Sequence, residues 1–142
     1  MKKHLLFVFA ALMSILTSCE KTFITVDNNK GEREEIISYK FQIDRNYMKI
    51  GKEAGSFTIR VKSNHEWNAT IQKPQNHGIP KIELDKCCGT GDAIITVNYS
   101  KPHRNFYYGY EETSSIVFHH KNGTNKAPRS SQTICTVKRT PN

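Results

Sequence analysis

One aromatic segment of the sequence has the residue types that stack on flat ligands. Four aromatic residues surround a glycine between positions 106 and 110, and an arginine precedes them. A tyrosine ring combines an apolar face with a polar hydroxyl, which suits the apolar face and the hydroxyl rim of a sugar. Four rings exceed what one inward strand face requires, so some should form an exposed binding surface. The candidate ligand-binding residues are Arg104, Phe106, Tyr107, Tyr108 and Tyr110.

Structural roles are the alternative for these aromatic residues. The segment 106–110 could be an edge strand whose rings cover one end of the domain or the neighbouring sheet. Trp67, the only tryptophan, could stack on a sugar ring, but it shares one face of an alternating segment with Ala69 and Ile71. Because β-sandwiches commonly bury a tryptophan at their centre, we predict that Trp67 lies in the core.

Three cysteines lie in the body of the chain, and their pairing is open. One of the adjacent residues Cys87 and Cys88 could form a disulfide with Cys135 in an oxidising compartment. A strained disulfide between Cys87 and Cys88, or three unpaired thiols, are the alternatives. The possible disulfide residues are therefore Cys87, Cys88 and Cys135.

The sequence predicts neither a metal site nor an enzyme. The pairs Cys87–Cys88 and His119–His120 lack the spacing of zinc ligands, and adjacent strand residues point to opposite faces. We find no G-x-S-x-G elbow, no H-E-x-x-H helix and no G-x-x-x-x-G-K phosphate loop. The adjacent carboxylates of Glu111 and Glu112 are expected to be solvated turn residues. No catalytic residue, metal or cofactor is therefore assigned.

The N-terminus has the zones of an export signal ending in a lipid-attachment site. Two lysines precede an apolar run, 5–13, which is shorter than the roughly 20 residues of a membrane-spanning helix. Residues 16–19, Leu-Thr-Ser-Cys, resemble the lipobox of bacterial lipoproteins. We predict that residues 1–18 are removed and that Cys19 carries two or more acyl chains, which hold a protein stably on a membrane. An ordinary secretory signal that releases a soluble protein is the alternative.

The chain is basic, with 21 Lys and Arg against 13 Asp and Glu. Loss of residues 1–18 removes two lysines and no acidic residue, which leaves 19 against 13, a formal charge of +6. A basic field could attract an acidic glycan or a phosphate-rich surface. The basic residues are scattered, however, which favours a solvated surface, and export argues against a nucleic-acid partner.

Alternating apolar and polar residues predict an all-β domain after a short tether. Residues 19–35 are polar with mixed charge and predict a flexible tether. From residue 36 short segments alternate as half-buried strands do, most clearly at 57–62 and 67–72. Glycine-rich turns at 51–55 and 89–91 and the Asn122–Gly123 pair separate them. About seven short strands over 36–142 predict an immunoglobulin-like antiparallel β-sandwich.

The order of these features resembles the BACON domain. Gly55 and Phe57 open a strand, a Ser-Asn pair at 63–64 precedes Trp67, and a Gly-Thr-Gly turn at 89–91 precedes the strand 94–99. The resemblance covers residues 38–138. Two family features differ here, because a second tryptophan is absent and the closing Val-x-Gln reads Val-Lys-Arg at 137–139.

This resemblance implies an exported, immunoglobulin-like module of glycan-using bacteria, associated with carbohydrate binding. The sequence therefore predicts a non-enzymatic lipoprotein, anchored to the bacterial envelope and by family analogy to the outer membrane, which binds a glycan or another envelope ligand. The second hypothesis is a structural lipoprotein that docks on a protein partner of an outer-membrane complex through strand edges and aromatic patches.

Overall fold

The computed structural model describes residues 23–27, 33–72, 81–102 and 111–140, which form strands and their connections. Cys19 and the aromatic segment 104–110 lie outside these residues. No helix long and apolar enough to cross a membrane occurs within the described ranges. The strands are β1 (Phe23–Asp27), β2 (Arg33–Tyr39), β3 (Phe41–Ile43), β4 (Tyr47–Lys49), β5 (Gly55–Ser63), β6 (Glu66–Gln72), β7 (Ile82–Leu84), β8 (Cys88–Thr90), β9 (Ala93–Tyr99), β10 (Glu112–Thr124) and β11 (Ala127–Arg139).

Two sheets pack face to face as an immunoglobulin-like sandwich, which confirms the predicted fold class. The larger sheet has the order β8-β6-β10-β11-β4, and the smaller has the order β3-β5-β9-β7. All neighbouring strands are antiparallel except β4, which runs parallel to β11. The described residues from 36 onward contain the end of β2 and nine further strands, β3 to β11, rather than about seven. Three-residue strands such as β4 and β8 are too short to show alternation in the sequence.

The core lies between the sheets and follows the predicted alternation. The inward-facing apolar side chains of β5, β6, β9, β10 and β11 are buried. Each buried large apolar side chain contributes about 1.5–3 kcal/mol of hydrophobic stabilisation. Trp67 is only 3% exposed and its indole Nε1 donates a hydrogen bond to the Gly91 carbonyl oxygen at 3.0 Å. The prediction of a core tryptophan is therefore confirmed. The central members of this core are Phe57, Ile59, Val61, Trp67, Ile95, Val97, Ile116, Phe118, Cys135 and Val137.

The glycine-rich turn at 89–91 is present, and two of its residues must be glycine. A Cβ on Gly89 would lie 2.7 Å from Cζ2 of Trp67, because β8 packs directly against the indole ring. Gly91 has φ of +75°, a left-handed backbone conformation that residues other than glycine rarely adopt. The turn therefore fixes both the packing and the hydrogen bond of the core tryptophan.

The β10–β11 hairpin turns three residues later than the Asn122–Gly123 pair predicts. The two strands pair from Glu112 and Arg139 to Thr124 and Ala127, so the turn consists of residues 125 and 126. Gly123 has φ of +90° but lies within the ladder, opposite Pro128. Gly123 thus adopts a positive φ within β10, close to the turn rather than in it.

The N-terminal strands form an antiparallel hairpin that joins the end of the β10–β11 hairpin. β1 pairs with β2, and β2 pairs with β10 at Gly123 and Thr124. Asn125 fastens this junction, because its backbone N–H donates to the Ile37 carbonyl at 2.9 Å and its Oδ1 accepts from the Ile37 N–H at 3.2 Å. The structure differs here from the expected flexible tether at 19–35, since residues 23–27 and 33–35 are paired in the β1–β2 ladder.

Candidate ligand-binding site

The sandwich has two ends, which the long β10 strand connects. At about 3.4 Å per residue, β10 extends about 40 Å from Glu112 to Thr124. We call the end with Glu112 and Arg139 the loop end, and the end with the β10–β11 turn and the β1–β2 hairpin the tether end. The connection between β9 and β10, which includes the aromatic segment, starts and finishes at the loop end.

A buried ion pair holds the loop end together. Arg139 and Glu112 are direct neighbours on β11 and β10, and their Nη1 and Oε2 atoms lie 2.7 Å apart with both side chains inaccessible to solvent. Arg139 also donates from Nε to the Gly51 carbonyl at 2.8 Å and from Nη2 to the Ser100 carbonyl. One guanidinium therefore joins the β4–β5 connection, the end of β9 and the start of β10.

These contacts fix the base of the predicted binding segment. The segment connects Pro102 to Glu111, two residues beyond Ser100 and one residue before Glu112. Its candidate residues, Arg104, Phe106, Tyr107, Tyr108 and Tyr110, lie outside the described residues, so their exposure stays a prediction. Loops that a rigid scaffold positions at one end of a sandwich are common binding sites.

The expectation for Glu112 as a solvated turn residue is wrong. Adjacent strand residues point to opposite faces, so Glu111 forms an exposed ion pair with Lys138, at 2.8 Å, while Glu112 faces inward and pairs with Arg139. The signal was present in the sequence, because residue 112 is in phase with the buried positions 116 and 118. Nothing in the sequence, however, identified Arg139 as its partner.

The outer face of the larger sheet carries an open cleft of about 520 Å³ toward the tether end. Asn68, His119 and Gln132 are cross-strand neighbours along this face. The Gln132 amide nitrogen lies 3.3 Å from Nδ1 of His119, and Nε2 of the same ring lies 3.2 Å from the Thr70 hydroxyl oxygen. The cleft is open, and both polar and apolar surface lines it, from Glu66, Trp67, Asn68, Cys88, Gly89, Thr90, His119, His120 and Lys121.

A second histidine cluster lies inside the tether end. The Lys121 backbone N–H donates to Nε2 of His65 at 2.9 Å, which requires a neutral ring whose Nδ1–H donates to Oδ1 of Asn64 at 3.1 Å. Burial lowers the pKa of His65, and the nearby charges of His120 and Lys121 lower it further. The same Asn64 Oδ1 accepts from the Lys40 N–H at 2.8 Å. His65 therefore stabilises the junction with the N-terminal hairpin while it is neutral.

The structure does not bring the three cysteines together. Cys87 and Cys88 are exposed, Cys135 is buried in the core, and all three thiols are free. β8 and β11 are separated by β6 and β10 in one sheet, which places them about 14 Å apart at 4.8 Å per strand. A disulfide needs Cα atoms within about 7 Å, so the expected bond between the adjacent pair and Cys135 is incompatible with this topology.

The two adjacent histidines point to opposite faces, as predicted. His119 faces the outer cleft, whereas the His120 ring faces inward and stacks on Phe41 with ring centroids 4.2 Å apart. Among the described residues, no group of three or more His, Cys, Asp or Glu side chains is close enough to hold a metal ion.

Comparisons with known proteins establish similarity of fold only. No protein-family model and no curated protein matches the sequence. The chain is similar to a Bacteroides ovatus GH5 xyloglucanase in complex with a XXXG heptasaccharide, with a TM-score of 0.53 and 11% identity over 72% of this chain and 19% of the enzyme. It thus spans about a fifth of that enzyme's length.

Two further matches are smaller domains. The chain is similar to the ASH/PapD-like domain 7 of human CEP192, with a TM-score of 0.49 and 9% identity over 74% of this chain and 87% of that domain. It is also similar to WR4, a C. elegans MSP family member, with a TM-score of 0.44 and 13% identity over 72% and 97% of the two chains. These identities carry no functional conclusion.

Proposed function

We propose that the chain is a non-enzymatic, BACON-like module that is anchored to the bacterial envelope through a lipidated Cys19 and binds a glycan or another envelope ligand. The outer membrane is the proposed location, by family analogy. The contact surface is the aromatic segment with Arg104, Phe106, Tyr107, Tyr108 and Tyr110.

The buried clamp at the loop end is the observation that carries this proposal. Arg139 joins Glu112 and Ser100, so both ends of the aromatic segment start from fixed points on the scaffold. Preorganised loop ends reduce the conformational entropy that a binding segment loses when it contacts a ligand. A segment that only connects two strands does not need four aromatic residues on so rigid a base.

The distance between the two ends of the sandwich supports the same proposal. The N-terminal hairpin joins the tether end, about 40 Å of β10 away from the loop end. A module anchored through its N-terminus therefore presents the aromatic segment away from the anchor. Ring stacking on the sugar, with hydrogen bonds from Arg104 and the tyrosine hydroxyls, would provide the affinity.

A glycan array tests this proposal directly. The mature lipoprotein in detergent is compared with a variant in which Tyr107, Tyr108 and Tyr110 are changed to alanine, and with Tyr47→Ala as the matched control. Tyr47 is 51% exposed on β4, so its loss removes an exposed tyrosine elsewhere. We expect a saturable glycan signal that the triple variant loses and Tyr47→Ala keeps, with circular dichroism showing that both variants are folded.

Anchoring is tested separately by metabolic labelling with a fatty acid. The wild-type chain should incorporate label and remain with the membrane fraction, whereas Cys19→Ala should incorporate none. Release of an unlabelled wild-type chain into the medium would instead favour the ordinary secretory signal.

Exposed apolar side chains favour a second candidate, a structural lipoprotein that docks on a protein partner. Tyr47 on β4 and Ile134 on β11 are 51% and 46% exposed, and both lie on the outer face of the larger sheet. Purification of a defined envelope protein with the wild type but not with Ile134→Asp, together with no glycan signal, would favour this candidate over the first.

A further inference from the structure

We infer that the junction between the N-terminal hairpin and the sandwich is a pH-sensitive switch, which protonation of His65 opens while the sandwich stays folded. The junction consists of residues 38–40, where β2 ends, and of Asn64 and His65, which hold them. Its opening releases the β1–β2 hairpin from β10 and so changes how the sandwich is connected to the N-terminus. The inference goes beyond the proposed ligand binding and does not require lipidation of Cys19.

Hydrogen bonds of Asn64, in the β5–β6 connection, hold the end of β2. Its Nδ2 donates to the Ser38 carbonyl oxygen at 2.6 Å, and its Oδ1 accepts from the Lys40 backbone N–H at 2.8 Å. The same Oδ1 accepts from Nδ1 of His65 at 3.1 Å. The His65 ring therefore helps to fix the amide that binds residues 38–40.

The geometry of the His65 ring admits only the neutral form. Its Nε2 accepts the Lys121 backbone N–H at 2.9 Å, and Nδ1 carries the single proton of the ring. A second proton, on Nε2, would place two N–H donors against each other in place of this hydrogen bond. Because the side chain is buried, water cannot replace the lost acceptor while the junction is closed.

The groups that surround His65 do not compensate a positive charge on its ring. From β2, the Tyr39 ring meets the His65 ring in a T-shaped contact with centroids 5.1 Å apart, and Lys121 Nζ of β10 lies 5.5 Å from the centre of the Tyr39 ring. Asp92 of the β8–β9 connection accepts from the Ser63 backbone N–H at 2.8 Å. Among the described residues, no carboxylate forms a hydrogen bond or an ion pair with the His65 ring.

His120 of β10 adds to the acid response. Its Nδ1 lies 3.0 Å from the Lys121 carbonyl oxygen and its Nε2 lies 2.9 Å from the Thr133 hydroxyl oxygen, and both oxygens can accept from a charged ring. A proton on His120 keeps these hydrogen bonds and places positive charge in a ring 6.2 Å from the His65 ring. Proton uptake by His65 therefore requires that the Tyr39 ring move away and that water reach the imidazole.

The junction should open before the sandwich because it has less pairing to lose. Within the described ranges, β2 pairs with β10 only at Gly123 and Thr124, whereas β11 pairs with β10 along its whole length and β6 pairs with it over 115–120. Residues 38–40 do not belong to the hydrophobic core, which continues between the two sheets. Elements with few buried contacts open locally at a lower free energy than the whole fold.

Hydrogen exchange resolved to single amides tests the inference on the mature protein in detergent. The Lys40 backbone N–H reports on the junction, because it donates to Asn64. After correction for the intrinsic pH dependence of exchange, its protection should fall by more than about threefold, and by up to about 30-fold, between pH 7.5 and 5. The upper limit is reached when the open state binds the proton with the ordinary pKa of histidine and the closed state does not bind it. At pH 5 the Ile59 amide of β5 should remain at least about tenfold better protected than that of Lys40.

Two variants separate titration of His65 from a general weakening of the junction. His65→Gln keeps an acceptor for the Lys121 N–H but does not titrate, so the pH-dependent fall at Lys40 should shrink to less than about threefold. Asn125→Ala removes side-chain hydrogen bonds to Ile37 and Glu35, so it should speed exchange at both pH values and keep the wild-type ratio.

Three results would overturn the inference. They are a fall of less than about threefold in the wild type, an unchanged fall in His65→Gln, and equal protection of Lys40 and Ile59 at pH 5. The last result would mean that acid unfolds the whole sandwich rather than the junction.

Discussion

At the scale of single residues, burial decides the chemistry of the titratable side chains. Burial raises the pKa of the Cys135 thiol to about 11, and it lowers the pKa of His65. No sequence pattern indicates that His65 accepts a backbone hydrogen bond. That contact depends on the place where β6 begins beside β10, which no local pattern encodes.

The cysteines should differ sharply in reactivity. In the reduced native protein at pH 8, iodoacetamide should modify Cys87 and Cys88 but not Cys135, because a buried thiol with a raised pKa forms little reactive thiolate. Peptide mass spectrometry before and after denaturation in urea measures this difference. Rapid native labelling of Cys135 would show that β11 does not bury it.

Acid should weaken the fold through His65. Its pKa is lowered in the folded state, so the unfolded chain binds the proton more readily and stability falls as pH drops below about 6.5. His65→Gln should be less stable than the wild type at pH 7.5 but lose less stability between pH 7.5 and 5. Urea unfolding at both pH values measures these slopes, and a wild-type slope in His65→Gln would contradict the assignment.

At the scale of elements, the long strands were predictable from the sequence and the short strands were not. Alternation identified β5, β6 and β9 because each has enough residues to show a two-residue period. β4 and β8 have three residues each, too few to show a period, so pairing partners rather than their own sequence determine them. The ion pair at the loop end was missed because its two residues are 27 positions apart.

Gly89 should tolerate no side chain. Gly89→Ala brings a Cβ to 2.7 Å from the Trp67 ring and should lower the free energy of unfolding by about 1–3 kcal/mol. Gly51→Ala is the matched control, since no atom lies within 4 Å of the position that its new Cβ would occupy, and it should change stability by less than about 0.5 kcal/mol. Urea unfolding followed by Trp67 fluorescence measures both, and equal effects of the two changes would argue against this packing.

Breaking the buried ion pair should reduce stability much more than breaking the exposed ion pair beside it. Arg139→Met leaves the Glu112 carboxylate buried without its cation and should cost about 3–5 kcal/mol. Glu112→Leu together with Arg139→Met should recover much of that loss. Lys138→Met breaks the exposed pair with Glu111 and should cost less than about 1 kcal/mol. If Arg139→Met changed the free energy of unfolding in urea only slightly, the proposed stabilising role of this ion pair would be wrong.

At the scale of the whole molecule, the two ends differ in structure. The tether end combines the N-terminal hairpin with the neutral His65, whereas the loop end fixes the base of the aromatic segment. The fold class was predictable from alternation and turn spacing. The separation of the two ends was not, because it depends on the pairing of β2 with β10 rather than on any motif.

The central claim is that the aromatic segment binds a ligand at the loop end. Isothermal titration of the mature lipoprotein with the strongest glycan from the array tests it most directly. We expect a saturable heat of binding for the wild type and for Tyr47→Ala. The folded variant that lacks Tyr107, Tyr108 and Tyr110 should show no heat of binding. Absence of heat for the wild type, or equal affinity of all three proteins, would contradict it.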